Sequence, residues 1–123
     1  RGLLAARLRA SLAAQRSALE AGDLLAFSEQ DVDFHLRIVE AGGNAVVAEL
    51  ASALGPRFAR LTHLAVSGDG LAAAHYLREH EELLQPLESG DAPAFAAAVR
   101  HHIASAHFPE GLSPEGPGTE GLR

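Results

Sequence analysis

Three stretches of this sequence place histidine where a regular apolar pattern calls for leucine. Phe27, Asp31, Phe34, His35 and Ile38 fall at the spacing of one helical face, so Asp31 and His35 project one turn apart from an otherwise apolar row. Leu77, His80, Leu84 and Leu87 form a second such row, and Phe95, Val99, His102, Ile103 and Ala106 a third. Neutral imidazoles and a carboxylate are the ligand set that divalent transition metals take in bundle cores. If Asp31, His35, His80 and His102 converge, one ion satisfies all four. The alternative is a set of separate core histidines, each with its own hydrogen-bond partner to offset desolvation. Spacing alone leaves both readings open.

The elements that must carry these rows follow from the punctuation of the chain. Leu4, Leu8 and Leu12 recur every four residues, with Leu19 further on, which predicts a helix over 2–21. Gly22 is a stop and Asp23 a cap for a second helix over about 24–41, which Gly42-Gly43 ends. Asn44 caps a third helix, whose inner stripe reads Val47, Leu50, Leu54, Leu61 and Leu64; Gly55-Pro56 inside it should kink or split it. The turn Ser67-Gly68-Asp69-Gly70 leads to a fourth helix over about 71–88, with Pro86 distorting its last turn. Ser89-Gly90-Asp91 starts a fifth, over about 92–108. Short connections between helices imply antiparallel neighbours, so the fold class is an all-α antiparallel bundle with no sheet.

Composition agrees. Ala (25) and Leu (19) dominate, whereas Val, Ile and Thr together number 10, which excludes an all-β domain and argues against a parallel α/β sheet. One domain over 1–108 is expected, followed by a flexible Gly/Pro-rich tail over 109–123 that cannot bury enough surface to order itself. Cysteine is absent, which removes disulfides, thiolate metal sites and cysteine nucleophiles. No apolar run reaches the roughly 18 residues of a membrane span and no secretory signal opens the chain, so a soluble, cytoplasmic protein without membrane contact is expected. A formal charge of −6 speaks against this chain gripping nucleic acid by itself. The chain opens in mid-helix without methionine, which reads as a fragment.

Among the remaining polar residues, Arg57 lies on the row Leu50, Leu54, Arg57, Leu61 and Leu64. There it either faces a cavity and takes a carboxylate bidentately, or snorkels to solvent beyond Pro56. Asn44 is a helix cap first and a ligand contact second. Arg60, His63, His75, His101 and His107 fall off the inner rows and read as surface groups. Glu81 and Glu82 form a solvated face from which either could accept a histidine N–H.

Three segments carry a family resemblance. Asp31-Val32-Asp33-Phe34-His35 followed by Glu40-Ala41-Gly42-Gly43-Asn44, then Glu79-His80-Glu81-Glu82-Leu83-Leu84, then Gly90-Asp91 with His102-Ile103, occur in this order. Together they resemble the D-x-x-F-H…A-G-N, E-H-x-x-[IL]-L and G-D…H-[LI] segments of the FCD domain, over about residues 20–105. That domain is the ligand-binding half of the FadR branch of GntR-type bacterial transcription regulators. The resemblance implies that Asp31, His35, His80 and His102 surround a divalent transition metal such as Zn, Ni or Mn. It also implies a non-enzymatic effector-sensing domain; with open positions on such a metal a small organic acid is the expected effector, and the residue reading offers Arg57, with Asn44 second, as its further contacts. DNA would be bound only through a winged helix-turn-helix, which nothing in this sequence matches, and the intact protein would be a homodimer. The family's helix before residue 2 is also unmatched. Two alternatives from other classes stand beside this reading: a small metal-dependent hydrolase-like protein, and a metal-free helical interaction domain.

Overall fold

The computed structural model describes residues 2–68 and 70–107. Five helices account for almost all of them: α1 (Gly2–Glu20), α2 (Leu24–Ala41), α3 (Ala45–Ser67), α4 (Gly70–Ser89) and α5 (Ala92–His107). Among the described residues there is no strand. The expected tail over 109–123 lies outside the described residues.

Two junctions use one device. At Gly22 the backbone turns into the left-handed region (φ +70°), where glycine carries no Cβ penalty. This lets the amides of Gly22 and Asp23 bond back to the carbonyls of Leu19 and Ala18 at 3.1 and 2.9 Å. The Asp23 carboxylate then accepts from the Ala26 amide at 3.0 Å and opens α2. Gly90 (φ +76°) and Asp91 repeat the arrangement between α4 and α5, with Asp91 accepting from Ala94 at 3.0 Å. Stop and cap thus share two adjacent residues, which keeps the connection short and returns the chain against itself.

The core is built from Leu8 and Leu12 of α1, Phe27 and Phe34 of α2, Val66 of α3, and Ala73, Leu77 and Leu83 of α4. Phe95 and Val99 of α5 pack onto it from the edge. The helix containing Gly55-Pro56 is not split, since α3 runs through to Ser67. Likewise α4 continues past Pro86 to Ser89.

The inner stripe expected for α3 is corrected. Val47, Leu50, Leu61 and Leu64 are exposed, Leu64 by 72% and Leu50 by 60%. The buried face of α3 is instead Gly55, Ala59 and Val66. Small residues win that face because they let the backbone of α3 close on α2. A Cβ at Gly55 would already stand 3.5 Å from Val32 Cγ1. The larger leucines are thereby rotated toward solvent and toward the cavity described below.

Candidate metal centre

Asp31, His35, His80 and His102 come together, with one ligand atom from each lying within 4.8 Å of all the others. Helix α2 supplies the first two, α4 and α5 one each. His102 Nε2 lies 3.0 Å from His35 Nε2 and 3.2 Å from His80 Nε2, and His80 Nε2 lies 3.0 Å from Asp31 Oδ1. Phe34 closes one side, its ring stacked on His80 at a centroid distance of 4.5 Å.

The protonation of two imidazoles follows from the bonding on their far sides. The Gln30 carbonyl can only accept, so Ser11 Oγ donates to it at 3.1 Å. Gln15 Nε2 in turn donates to Ser11 Oγ at 3.2 Å, which turns Gln15 Oε1 toward His80 Nδ1 at 2.7 Å. His80 must therefore carry its proton on Nδ1 and present a bare Nε2 lone pair to the cluster. His35 Nδ1 lies 2.7 Å from the Asp31 backbone carbonyl, another pure acceptor, so its Nε2 is bare as well. His102 Nδ1 faces the Glu79 carboxylate at 3.7 Å.

Burial works to raise the Asp31 carboxyl, but the neighbouring imidazoles, His35 first and His80 with it, outweigh burial in their protonated forms and hold the group well below the usual carboxylate range. Burial likewise lowers His35, yet Asp31 reverses the sign and raises it above its ordinary value. For His80 burial prevails, and the group is lowered despite Asp31. A neutral His80 thus points a lone pair at a carboxylate oxygen and at a second imidazole nitrogen.

Such an arrangement needs a positive centre among the donors, either a shared proton or a metal cation. Donors held about 2.1 Å from one ion are about 3.0 Å apart along an octahedral edge. Three of the six donor separations, at 3.0–3.2 Å, match that spacing, and all lie within 4.8 Å. The outward N–H groups of His35 and His80, bonded to a carbonyl and to an amide oxygen, are also how metal-binding histidines are oriented. The residues present fit a divalent ion.

A cavity of about 410 Å³ adjoins the cluster between α2, α3, α4 and α5. Val32, Leu36, Val39, Ala51, Phe58, Leu61 and Ala65 form its apolar wall, and Asp31, His35, Thr62, Tyr76 and His102 its polar part. Thr62 Oγ1 donates to Asp31 Oδ2 at 3.3 Å, so α3 also touches the site. The Tyr76 hydroxyl is pushed up by burial and by the Asp31 and Glu79 charges, which keeps it a donor.

Arg57 and Asn44 are not brought to this site. Arg57 is exposed on α3 beside Leu50 and Leu64 and does not line the cavity, although Leu61 of the same row does. Asn44 is exposed, and its Oδ1 accepts from the Val47 amide at 3.1 Å as the cap of α3. Glu81 pairs with Arg16 of α1, and Glu82 is exposed. Arg60 and His101 are exposed, His63 is half-buried, and the His107 side chain lies outside the described residues.

Three supporting residues went unnoticed in the sequence. Gln15 continues the α1 row Leu8, Leu12 and Leu19 at helical spacing, and a fully buried amide there signals a polar partner. Glu79, buried beside His80, holds His75 Nε2 at 2.8 Å with Oε1 while Oε2 faces His102. Thr62 carried no signal, since a lone threonine on a helix is ordinary.

Among the described residues, no helix is long and apolar enough to cross a membrane. The model of the FCD domain family matches residues 3–105. The chain is similar to a probable D-xylose utilization operon transcriptional repressor of Paenarthrobacter nicotinovorans, at 29% identity over 101 residues. That match covers 82% of this chain and 44% of the relative, so the chain spans less than half of the relative's length. No solved structure gives a significant match. A family match over nearly all the described helices, with the Asp/His cluster assembled inside it, means that the chain belongs to the FCD domain family.

Proposed function

We propose that this chain is the effector-sensing domain of a transcription regulator, with a divalent transition metal held by Asp31, His35, His80 and His102. The observation that carries this reading is the inward convergence of imidazole lone pairs and a carboxylate whose outward N–H groups are already committed to Gln15 and to the Asp31 carbonyl. The metal would supply a coordination site for an oxygen of a small organic acid entering the adjoining cavity. Gln15 orients His80, the Glu79 charge faces His102, Thr62 holds Asp31, and Phe34 and the apolar wall exclude water. Nothing in this arrangement requires catalysis, and the domain senses rather than transforms its ligand.

The regulator reading rests on family membership and on the relative's description as a transcriptional repressor. DNA binding is assigned to a region outside this chain, and the intact protein is a cytoplasmic homodimer. Val46, Leu50 and Leu64, left facing solvent on α3, support self-association, because exposed apolar stripes mark interaction surfaces.

Elemental analysis of the purified protein tests the metal. About one equivalent of Zn, Ni, Mn or Co per chain is expected, falling toward zero when His35 and His102 are both replaced by alanine. An unchanged metal content in that double variant would refute the ligand assignment. Calorimetric titration of metal-loaded and chelated protein with small carboxylic acids tests the effector, and heat is expected from the loaded form alone.

A further inference from the structure

The effector pocket is chemically lopsided. Its polar groups are all tied to the cluster: Asp31, His35 and His102 belong to it, Thr62 is hydrogen-bonded to Asp31, and Tyr76 feels the Asp31 charge. Among the described residues, everything else lining the cavity is hydrocarbon. The chain has no lysine, and among the described residues no arginine lines the pocket.

We infer that the ligand is a monocarboxylic acid with an apolar body, its carboxylate at the Asp31–His35–His102 end and its aliphatic or aromatic portion along Val32, Leu36 and Phe58. The inference rests on the metal-anchored reading above, since a carboxylate beside Asp31 needs the cation to reverse the local charge. A second carboxylate farther along the ligand would be desolvated against hydrocarbon with no cationic side chain to meet it. Sugar hydroxyls would lose water there and gain no partner. The D-xylose in the relative's description is therefore a poor guide to this pocket.

Size agrees. At the roughly 30 Å³ that a water occupies in the liquid, about 410 Å³ holds roughly a dozen non-hydrogen atoms. An acid of six to ten carbons fills that space. Phe58 and Leu61 are 46% and 63% exposed, so a hydrocarbon chain laid against them removes wet apolar surface of the protein as well as its own. Tyr76 also lines the cavity, and its hydroxyl is a donor within the polar part of the lining.

The test is calorimetric titration of the chain after Zn²⁺ loading, with zinc retention measured first. The probes are butanoate, hexanoate and octanoate, then adipate, D-xylonate and D-xylose. Affinity is expected to rise about three- to fourfold for each methylene from butanoate to octanoate. Adipate should bind at least tenfold more weakly than hexanoate, and xylonate and xylose should give no heat. Phe58→Ser, on a half-exposed side chain whose loss leaves the helical circular dichroism intact, should weaken octanoate roughly tenfold with zinc retention unchanged. A flat chain-length series, or adipate or xylonate binding as tightly as hexanoate, overturns the inference and leaves the metal reading standing if zinc is retained. A protein that holds no zinc yet shows the chain-length rise supports the ligand class and overturns the metal anchor. Loss of both zinc and acid binding sinks the two together.

Discussion

Gln15 Oε1 accepts from His80 Nδ1 at 2.7 Å across a sequence separation of 65 residues, and both side chains are fully buried. Through this bond α1, which carries none of the four candidate ligands, determines which nitrogen of His80 faces the cluster. Replacing Gln15 by leucine should therefore act on metal affinity as well as stability. Losing the acceptor strands a buried N–H at about 1–3 kcal/mol. It should also weaken metal binding roughly 10- to 100-fold, the usual cost of losing a histidine's orienting partner. Competition with a chromophoric chelator measures the second effect. Unchanged metal affinity in a folded Gln15→Leu variant would show that the tautomer is held by something else.

His35 is the most accessible of the three histidines, so its removal perturbs packing least. His35→Ala should lower thermal stability chiefly when metal is present. With metal at 100 times its Kd, the native state gains about 2.7 kcal/mol by mass action, and the variant forfeits most of this. Thermal unfolding with and without chelator separates the readings. Equal losses in both conditions would point to a core histidine with no metal.

Acidification should release the metal, because the imidazoles must be neutral to hold it. Asp31 raises His35 above the ordinary imidazole value of 6.5, so proton competition begins above pH 6.5, at His35. In chelated protein the sign reverses over the same window. A raised folded pKa contributes stability that is complete below pH 6.5 and lost as pH climbs through the folded value of His35. Loaded protein should thus gain stability on going from pH 6.5 upward while chelated protein loses some. Parallel pH profiles for the two forms would contradict the assignment.

Purified as it stands, the chain should not retard duplex DNA at physiological salt. Its formal charge is −6, and the phosphate contacts that dominate such binding need clustered cationic side chains. An electrophoretic mobility assay over a salt series decides this, and salt-dependent retardation would overturn it.

The helices were legible because their signals are local. Gly22-Asp23 and Gly90-Asp91 announce stop and cap within two residues, and the rows through Phe27, Leu77 and Phe95 repeat at a period that needs no partner to be seen. The same locality made Asp31 and His35 readable as one feature and flagged His80 and His102 as anomalies on apolar faces. Whether those anomalies met was a question of tertiary packing. Helix α3 shows where local reading fails. Its large residues (Leu50, Leu61 and Leu64) suggested the inner face, but burial is set by how closely two backbones approach. Gly55 and Ala59 allow α3 to close on α2, and the leucines on other faces are left outside. Arg57 went outward with that rotation.

The sequence by itself determined the five helices, their caps and the four ligand-type residues, since each depends on neighbours within a turn or two. Only the tertiary structure decided that Gln15, Glu79 and Thr62 adjoin the cluster and that a cavity lined, among the described residues, by no arginine lies beside it. Those properties depend on helix rotation and on contacts between residues far apart in the chain. Side-chain volume and spacing along one helix do not encode them.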